Sequence, residues 1–297
     1  MITRVCMKTK LALALFRWVG RWPLGVTRTV GSGLGRLMWW CQIREAKTTR
    51  INIEHCFPEL SAAEQKDLAR RSVIELGKAF FEVPMTMQRS AEWVHGKVLK
   101  VHNQELLDQA LADERGVVLV IPHLGNWEVI GMEVGRQTKM TSLYEPSRYP
   151  EMDDIVKESR SKLGADLVPT DKRGVMALIK ALRAGGTAAI LPDQEPALDS
   201  GEFAPFFGMS ALTMTLLSKL LQRSGAQALL NYVVRVPGGF EVFYQKPDQA
   251  IYDADVSVSL AALNGDIEKI VRTAPAQYQW EYKRFKRRPQ GMERIYP

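Results

Sequence analysis

The sequence has few of the residues that build covalent or metal-bound frameworks. Its 297 residues include three cysteines and four histidines, and Cys6, Cys41 and Cys56 all lie in the first fifth of the chain. Their odd number and wide spacing exclude a disulfide scaffold and favour a reducing compartment. There is no Cys-x2-Cys pair and the histidines are scattered, so a zinc site has little support and we predict no metal.

Long apolar segments are also missing. The N-terminal apolar run, residues 11–16, is followed by Arg17, Arg21 and Pro23, whereas a membrane-spanning helix needs about 20 mostly apolar residues. No clean small-x-small cleavage site follows this run, which argues against a signal peptide.

The first 50 residues are rich in positive charge and in tryptophan. They hold ten Lys or Arg residues and a single acidic residue, Glu45. Indoles among cations are typical of a segment that lies at a membrane surface, although an amphipathic helix packed on its own core is the alternative. We therefore predict that residues 1–50 form a basic, amphipathic, membrane-associated segment and that residues 51–297 form a single α/β domain. The tryptophans concerned are Trp18, Trp22, Trp39 and Trp40.

The remaining sequence alternates apolar strand patterns with helical patterns of about ten residues. This alternation predicts an α/β fold with a mainly parallel central sheet and helices on both faces. We expect strands at 117–121, 141–144, around 167 and at 188–191, a hairpin at the sheet edge from 228–236 and 240–244, and a long loop at 194–208. The expected helices are 104–113, 152–163, 175–183, 212–223, 257–272 and one that begins at the Ser61/Glu64 capping box and ends near Pro84.

His123 is the residue around which we expect the site to form. It follows the apolar run 117–121 and Pro122, and precedes a helix that we expect Gly125 or Asn126 to cap. Strand ends that face helix starts are where open α/β folds bind ligands. Glu128, one turn inside this helix, can reach an imidazole nitrogen and orient the histidine as a general base. The alternative is a structural histidine beside a solvated glutamate.

Asp193 ends another predicted strand, so it can converge with His123 on one crevice of the sheet. The loop 194–208 that follows is either a lid over this crevice or a plain surface loop.

Three further features of the sequence bear on ligands. Arg160 and Arg173 lie on or before predicted helices and offer bidentate donors for a phosphate, although most arginines are merely solvated. Five of the six residues 283–288 are basic, and a nucleic acid, a lipid phosphate or an acidic carrier protein would each suit them. No nucleic-acid module accompanies this run. No Gly-x-Ser-x-Gly elbow is present, which favours direct transfer over a covalent intermediate.

The motif around His123 resembles the His-x4-Asp/Glu motif of glycerolipid acyltransferases. More specifically, the chain resembles the late lipid A acyltransferases of Gram-negative bacteria, lauroyl and myristoyl transferase type. Four stretches carry this resemblance in order and spacing, and together they cover nearly the whole chain: 122–128, 191–194, 203–208, and 274–280 running into 284–289.

The resemblance implies a glycerolipid-acyltransferase-like fold and a reaction. A fatty acyl chain would pass from acyl carrier protein to a hydroxyl of a 3-hydroxyacyl chain on a lipid A precursor. The enzyme would work at the cytoplasmic face of the bacterial inner membrane, with no bound cofactor and no nucleic-acid partner. The basic run would then serve lipid phosphate or the acidic acyl carrier protein.

The resemblance also implies roles for individual residues. His123 would remove the acceptor proton, Glu128 would orient His123, and the amides near Gly125 and Asn126 are expected to hold the oxyanion.

Arg160 best matches the arginine that the family uses at its active site, with Arg173 as the reserve candidate. Asp193 would organise Arg160 or the acceptor. Two alternatives stay open: an enzyme that acylates another lipid, such as a lysophospholipid or an aminolipid, and a non-catalytic protein that binds the membrane surface.

Overall fold

A central sheet organises the chain. The computed structural model describes residues 7–144 and 166–297. Within these residues, seven strands form one sheet in the order β1-β9-β8-β2-β5-β3-β4, and β6 and β7 form a separate pair. The strands are β1 (Val98–His102), β2 (Val117–Val120), β3 (Met140–Tyr144), β4 (Asp166–Pro169), β5 (Thr187–Ile190), β6 (Gly201–Phe206), β7 (Met209–Met214), β8 (Gln227–Val236) and β9 (Gly239–Gln245).

Ten helices accompany the strands in this part of the chain. They are α1 (Met7–Val19), α2 (Leu24–Trp40), α3 (Arg44–Cys56), α4 (Ala62–Gln88), α5 (Ala91–His95), α6 (Gln104–Ala112), α7 (Glu128–Gly135), α8 (Lys172–Arg183), α9 (Leu216–Ser224) and α10 (Val256–Thr273).

The sheet is mainly parallel, as the sequence predicted. β8, β2, β5, β3 and β4 pair in parallel. β9 returns antiparallel to β8 through a tight hairpin, and β1 pairs in parallel with β9. The expected hairpin at 228–236 and 240–244 is present, but its place at the sheet edge was wrong because β1 covers β9.

The hydrophobic core lies on both faces of the sheet, and β2 shows why. Its side chains are fully buried and alternate between two clusters: Val118 and Val120 point into one, Val117 and Leu119 into the other. A strand covered on both faces gives a continuous apolar run in the sequence. The helices therefore hold β2 rigidly beneath His123.

The N-terminal helices pack against the long helix α4. The capping box of Ser61 and Glu64 starts α4, as predicted, but the helix continues through Pro84 to Gln88. The backbones of α2 and α4 are so close that a Cβ on Gly77 would lie 2.2 Å from the Gly31 oxygen. Among the described helices, none is both long and apolar enough to span a membrane.

The segment after β5 differs from prediction. Residues 201–214 form the hairpin β6–β7 where a loop and the start of a helix were expected, and α9 begins only at Leu216. The turn consists of Phe207 and Gly208 with φ of 49° and 73°, the mirror-type turn that suits twisted strands. Phenylalanine is uncommon in this conformation, so the turn was not evident from the sequence. The predicted helix 152–163 lies outside the described residues.

Candidate active site

Strand register brings His123 and Asp193 together. β2 and β5 pair in parallel with Val120 opposite Ile190, and the bond from the Ile121 amide to the Ile190 oxygen extends this pairing. Each strand is then followed by an apolar residue, a proline and a polar residue, so His123 and Asp193 occupy equivalent positions. The convergence expected at this edge of the sheet is present.

Asp193 bonds to both the backbone and the ring of His123. The His123 amide donates to Oδ2 at 2.8 Å, and Nδ1 lies 2.7 Å from Oδ1. Burial of Asp193 works to raise its pKa, but the charge of His123 and hydrogen bonds from it outweigh burial and lower the pKa below its usual range. An ionised carboxylate can only accept, so Nδ1 carries the proton and the lone pair of the neutral ring lies on Nε2.

Two glutamines continue this arrangement on the other side of the ring. The side-chain amide of Gln194 lies 3.3 Å from His123 Nε2 and donates to Oε1 of Gln279 at 2.9 Å. The ring of Trp127 packs edge-on against the imidazole, with 4.9 Å between ring centroids. The imidazole is thus held on both its nitrogens and on one side. Nε2 faces Gln194 in this structure, and its lone pair is the one that can accept a proton.

Gly125 fixes the loop that carries His123. Its φ is +62°, and a Cβ here would lie 1.9 Å from the Val233 oxygen. Its amide donates to the Gln277 oxygen at 3.0 Å, and its own oxygen accepts from the buried Arg235 at 2.9 Å. Only glycine fits this conformation and space. The sequence analysis expected the Gly125 amide to hold the oxyanion, but this amide is already bound to Gln277.

Asn126 also holds the loop. Its side chain is fully buried and donates to the Thr86 hydroxyl on α4 at 2.8 Å. The residue that caps α7 is Trp127, which makes no side-chain capping bond. The expectation that Gly125 or Asn126 caps this helix was therefore wrong, because both are engaged in bonds to other elements.

A largely apolar cavity of about 540 Å³ adjoins the histidine. Its walls come from α1, α4, the loop after β2 and the segment 277–281. The size is typical of small-molecule sites in proteins. Its lining includes Phe16, Phe81, His123, Trp127, Arg235 and Glu281.

Comparison with known proteins identifies the family. The family model described as bacterial lipid A biosynthesis acyltransferase matches residues 3–287. The chain belongs to the bacterial lipid A biosynthesis acyltransferase family. It is 27% identical to the lipid A biosynthesis lauroyltransferase of Escherichia coli strain K12, covering 97% of this chain and 94% of that one. It is 29% identical to the palmitoleoyltransferase of the same strain, covering 95% and 92%.

A relative from Haemophilus influenzae, a lipid A biosynthesis acyltransferase, is 25% identical over 94% of this chain and 90% of its own. This acyltransferase is accordingly an enzyme of late lipid A acylation, and the predicted family is confirmed.

Glu128 does not hold the histidine of this acyltransferase. It is the first residue of α7 and is half-buried. The carboxylate on Nδ1 is that of Asp193, so the contact expected of Glu128 is made by Asp193. The register of β2 with β5 sets Asp193 beside His123, whereas Glu128 lies on the helix that follows the His123 loop. The mirrored apolar-proline-polar ends at 121–123 and 191–193 were the signal for this pairing.

The two predicted phosphate-binding arginines have different outcomes. Arg173 is exposed at the start of α8, and its amide donates to Asp171. α8 follows the edge strand β4, three strands from β2, which at about 4.8 Å per strand is roughly 14 Å away. Arg173 therefore lies apart from His123. Arg160 lies outside the described residues.

The basic run 283–288 has mainly a structural role. Arg284 is buried and donates to the Leu212 oxygen at 2.6 Å and to the Thr213 hydroxyl at 2.9 Å. Arg287 binds the oxygen of Pro196, and Arg288 that of Ser210. Arg284 and Arg288 thus fasten the β6–β7 hairpin to the C-terminal segment, and Arg287 fastens the loop that precedes the hairpin. Lys286 is left as the exposed cation of the run.

Proposed function

We propose that this acyltransferase moves a fatty acyl chain from acyl carrier protein to a hydroxyl of a 3-hydroxyacyl chain on a phosphorylated disaccharide lipid, the precursor of lipid A. The observation that carries this proposal is a histidine oriented by a carboxylate beside an apolar cavity: Asp193 binds Nδ1 of His123 at 2.7 Å, and His123 lines the cavity. Membership of the family supports the choice of acceptor.

The chemistry follows from the tautomer. Nε2 of His123 accepts the proton of the acceptor hydroxyl while its oxygen attacks the thioester carbonyl. Asp193 stabilises the imidazolium that forms, as the carboxylate of a catalytic triad does. When the carbon–sulfur bond breaks, the imidazolium returns the proton to the departing thiolate. The products are an ester and a free thiol, and the enzyme needs no bound cofactor for this step.

The start of α7 supplies donors for the developing oxyanion. The first amides of a helix have no partner within the helix and carry the positive end of its dipole. The Gly125 amide is bound to Gln277, and the amides of Val129 and Ile130 donate to the oxygens of Asn126 and Trp127. The amides of Asn126, Trp127 and Glu128 are left for this task. Glu128 keeps its proposed place in the site as a carboxylate at the same helix end, although not as the partner of Nδ1.

The cavity provides the environment for an acyl chain. Its walls include Phe16 and Val19 of α1 and Leu76, Phe80 and Phe81 of α4. Each methylene moved from water into such surroundings contributes about 0.8 kcal/mol. An acyl chain that lies between these helices would place its thioester end at His123.

The membrane-facing surface is proposed on the same helices. Trp18, Leu37 and Trp40 are largely exposed, with Trp40 80% accessible. Large exposed apolar residues on a basic segment suit a headgroup layer with anionic lipids. Since Leu15 and Phe80 are exposed and also line the cavity, lipid substrates would enter the site from the membrane. We propose that the enzyme works at the cytoplasmic face of the inner membrane and that Arg160 binds the acceptor phosphates.

The test is an acyl transfer assay with acyl carrier protein thioesters of several chain lengths and a tetra-acylated lipid A precursor. The wild type should form the penta-acylated product. His123→Ala should form no product, although its melting temperature should equal that of the wild type. His55→Ala, at an exposed histidine on α3, is the matched control and should transfer normally. Absence of product with the wild type, and product with a lysophospholipid instead, would reassign the acceptor.

A further inference from the structure

Glu281 is a second carboxyl group in the cavity that contains His123. Both residues line its wall, as does Arg235. Among the residues that the structure describes, Glu281 forms no ion pair, whereas the cavity's other glutamate, Glu75, pairs with Lys78 at 2.5 Å. A carboxyl group placed against apolar walls without a counter-ion is uncommon, because burying an unpaired charge is costly.

The backbone holds Glu281 in register with the catalytic loop. The Gln279 amide donates to the His123 oxygen at 3.1 Å, and the Gly125 amide donates to the Gln277 oxygen at 3.0 Å. Leu124 and Tyr278 form an antiparallel bridge between these bonds. Residues 277–279 are therefore bonded directly to the loop of His123, and Glu281 follows them by two residues on the wall of the same cavity.

The charged neighbours of Glu281 do not neutralise it. Arg235 on β8 is engaged by Glu82 and by the Gly125 oxygen, and Glu75 on α4 also lines the cavity. His123 is the other basic group on the cavity wall, and its Nδ1 is bound to Asp193. Tyr278 stays protonated because burial and the nearby Asp193 raise its pKa. Burial of Glu281 raises its pKa to about 7, against the opposing effects of Gln279, His123 and Arg235.

We propose that Glu281, in its protonated form, donates a hydrogen bond to the carbonyl oxygen of the bound acyl thioester and stabilises the oxyanion. This proposal rests on the proposed acyl transfer at His123. A neutral carboxylic acid in an apolar site is a strong donor, and enzymes use such groups for oxyanions. The role also fits the engagement of the Gly125 amide by Gln277, which removes one backbone donor from the site.

The proposal explains why the carboxyl group carries no counter-ion. A salt bridge would keep Glu281 ionised, and an ionised carboxylate can only accept hydrogen bonds. It would also repel the negative charge that develops on the thioester oxygen. The same group without a cation stays protonated over the lower part of the neutral pH range and can donate.

The test compares the pH dependence of acyl transfer in the wild type, Glu281→Gln and Glu281→Ala. In the wild type, kcat should fall as pH rises through the pKa of Glu281, because the carboxyl group then loses its donor proton. Glutamine retains a donor but does not titrate, so kcat of Glu281→Gln should not fall in this pH range. Alanine removes the donor, and loss of one oxyanion donor lowers kcat by about 10²-fold. Glu202→Gln, at an exposed glutamate on β6, should keep the wild-type profile.

The outcomes separate this inference from the proposed function. A wild type that transfers no acyl chain overturns both. If the wild type transfers normally, two results overturn the role of Glu281 alone. One is a Glu281→Gln variant whose kcat still falls at high pH as the wild-type kcat does. The other is a Glu281→Ala variant whose kcat is within threefold of the wild-type value. Should Glu281→Ala not fold by circular dichroism, the profile of Glu281→Gln decides.

Discussion

The carboxylate of Asp193 binds His123 at two points: Oδ2 accepts from the backbone amide of His123 at 2.8 Å, and Oδ1 lies 2.7 Å from Nδ1 of its ring. The first bond fixes the backbone of the loop, and the second fixes the ring and its tautomer. A carboxylate that contributes both is a more complete support for a general base than one that bonds to the ring alone. It also links the ends of β2 and β5, which are buried neighbours in the sheet.

Asp193→Asn should therefore lower kcat by about 10⁴-fold, as the same replacement of the orienting aspartate does in a catalytic triad. The amide can still accept from the His123 backbone, but its NH₂ group favours the tautomer with the proton on Nε2. We expect KM to change little, because Asp193 does not line the cavity. The measurement is kcat and KM in the acyl transfer assay, with a thermal melt of each variant.

The matched control is Asp199→Asn, at an exposed aspartate near the β6–β7 hairpin, which should keep wild-type kcat. A kcat for Asp193→Asn within tenfold of the wild type would contradict the orienting role. If kcat falls in Glu128→Ala but is unchanged in Asp193→Asn, Glu128 and not Asp193 orients His123.

The parallel sheet and the position of His123 could be predicted because both depend on local patterns. The run Val117 to Ile121 is apolar throughout, and a proline ends it before the histidine. Such a strand must be covered on both faces, which fixes the class of fold and the edge of the sheet where side chains meet.

The partner of His123 could not be predicted from spacing along the chain. Glu128 is five residues from His123 and Asp193 is seventy, yet the register of β2 with β5 brings Asp193 to the ring. The β6–β7 hairpin was missed for a related reason. Its turn uses a phenylalanine at positive φ, and buried bonds from Arg284 to Leu212 and Thr213 hold it. Tertiary contacts of this kind leave no local pattern.

Arg235→Met should unfold more easily by about 3 kcal/mol, the usual cost of breaking a buried ion pair. Arg235 lies against the fully buried Glu82 and donates to the Gly125 oxygen at 2.9 Å, so its loss leaves one carboxylate with a single partner, Arg28. The free Gly125 oxygen should also loosen the His123 loop and lower kcat. Urea denaturation gives the free energy of unfolding.

Arg183→Met is the control for this substitution. Arg183 is an exposed arginine on α8 that donates to the Arg223 oxygen, and surface changes of this kind usually cost less than about 0.5 kcal/mol. Equal stabilities of the two variants would show that Glu82 does not depend on Arg235.

Trp40→Ala should weaken binding to vesicles that contain phosphatidylglycerol. Trp40 is 80% exposed at the end of α2, and an indole transferred to the headgroup region contributes apolar burial as well as position. We expect at least about a tenfold loss, equivalent to about 1.4 kcal/mol, measured by cosedimentation. Wild-type binding should also fall with added salt, since the segment is basic.

The control is Met176→Ala, at an exposed methionine on α8, which should bind vesicles as the wild type does. Equal losses of binding in both variants would argue against a membrane surface on α2.

The pH dependence of stability should differ between the wild type and Glu281→Gln. The pKa of Glu281 is about 7 in the folded protein and about 4.3 in an unfolded chain. Between these values the folded state binds more protons, so the free energy of unfolding of the wild type falls as pH rises from about 4.3 to about 7. Glutamine does not titrate, and Glu281→Gln should lose this part of the decline. One pKa unit corresponds to about 1.36 kcal/mol, and allowing for partial exposure we expect the difference between the two proteins to grow by about 2 kcal/mol. Parallel stability curves, measured by urea denaturation at pH 5, 6.5 and 8, would mean that Glu281 is ionised at neutral pH and cannot donate to an oxyanion.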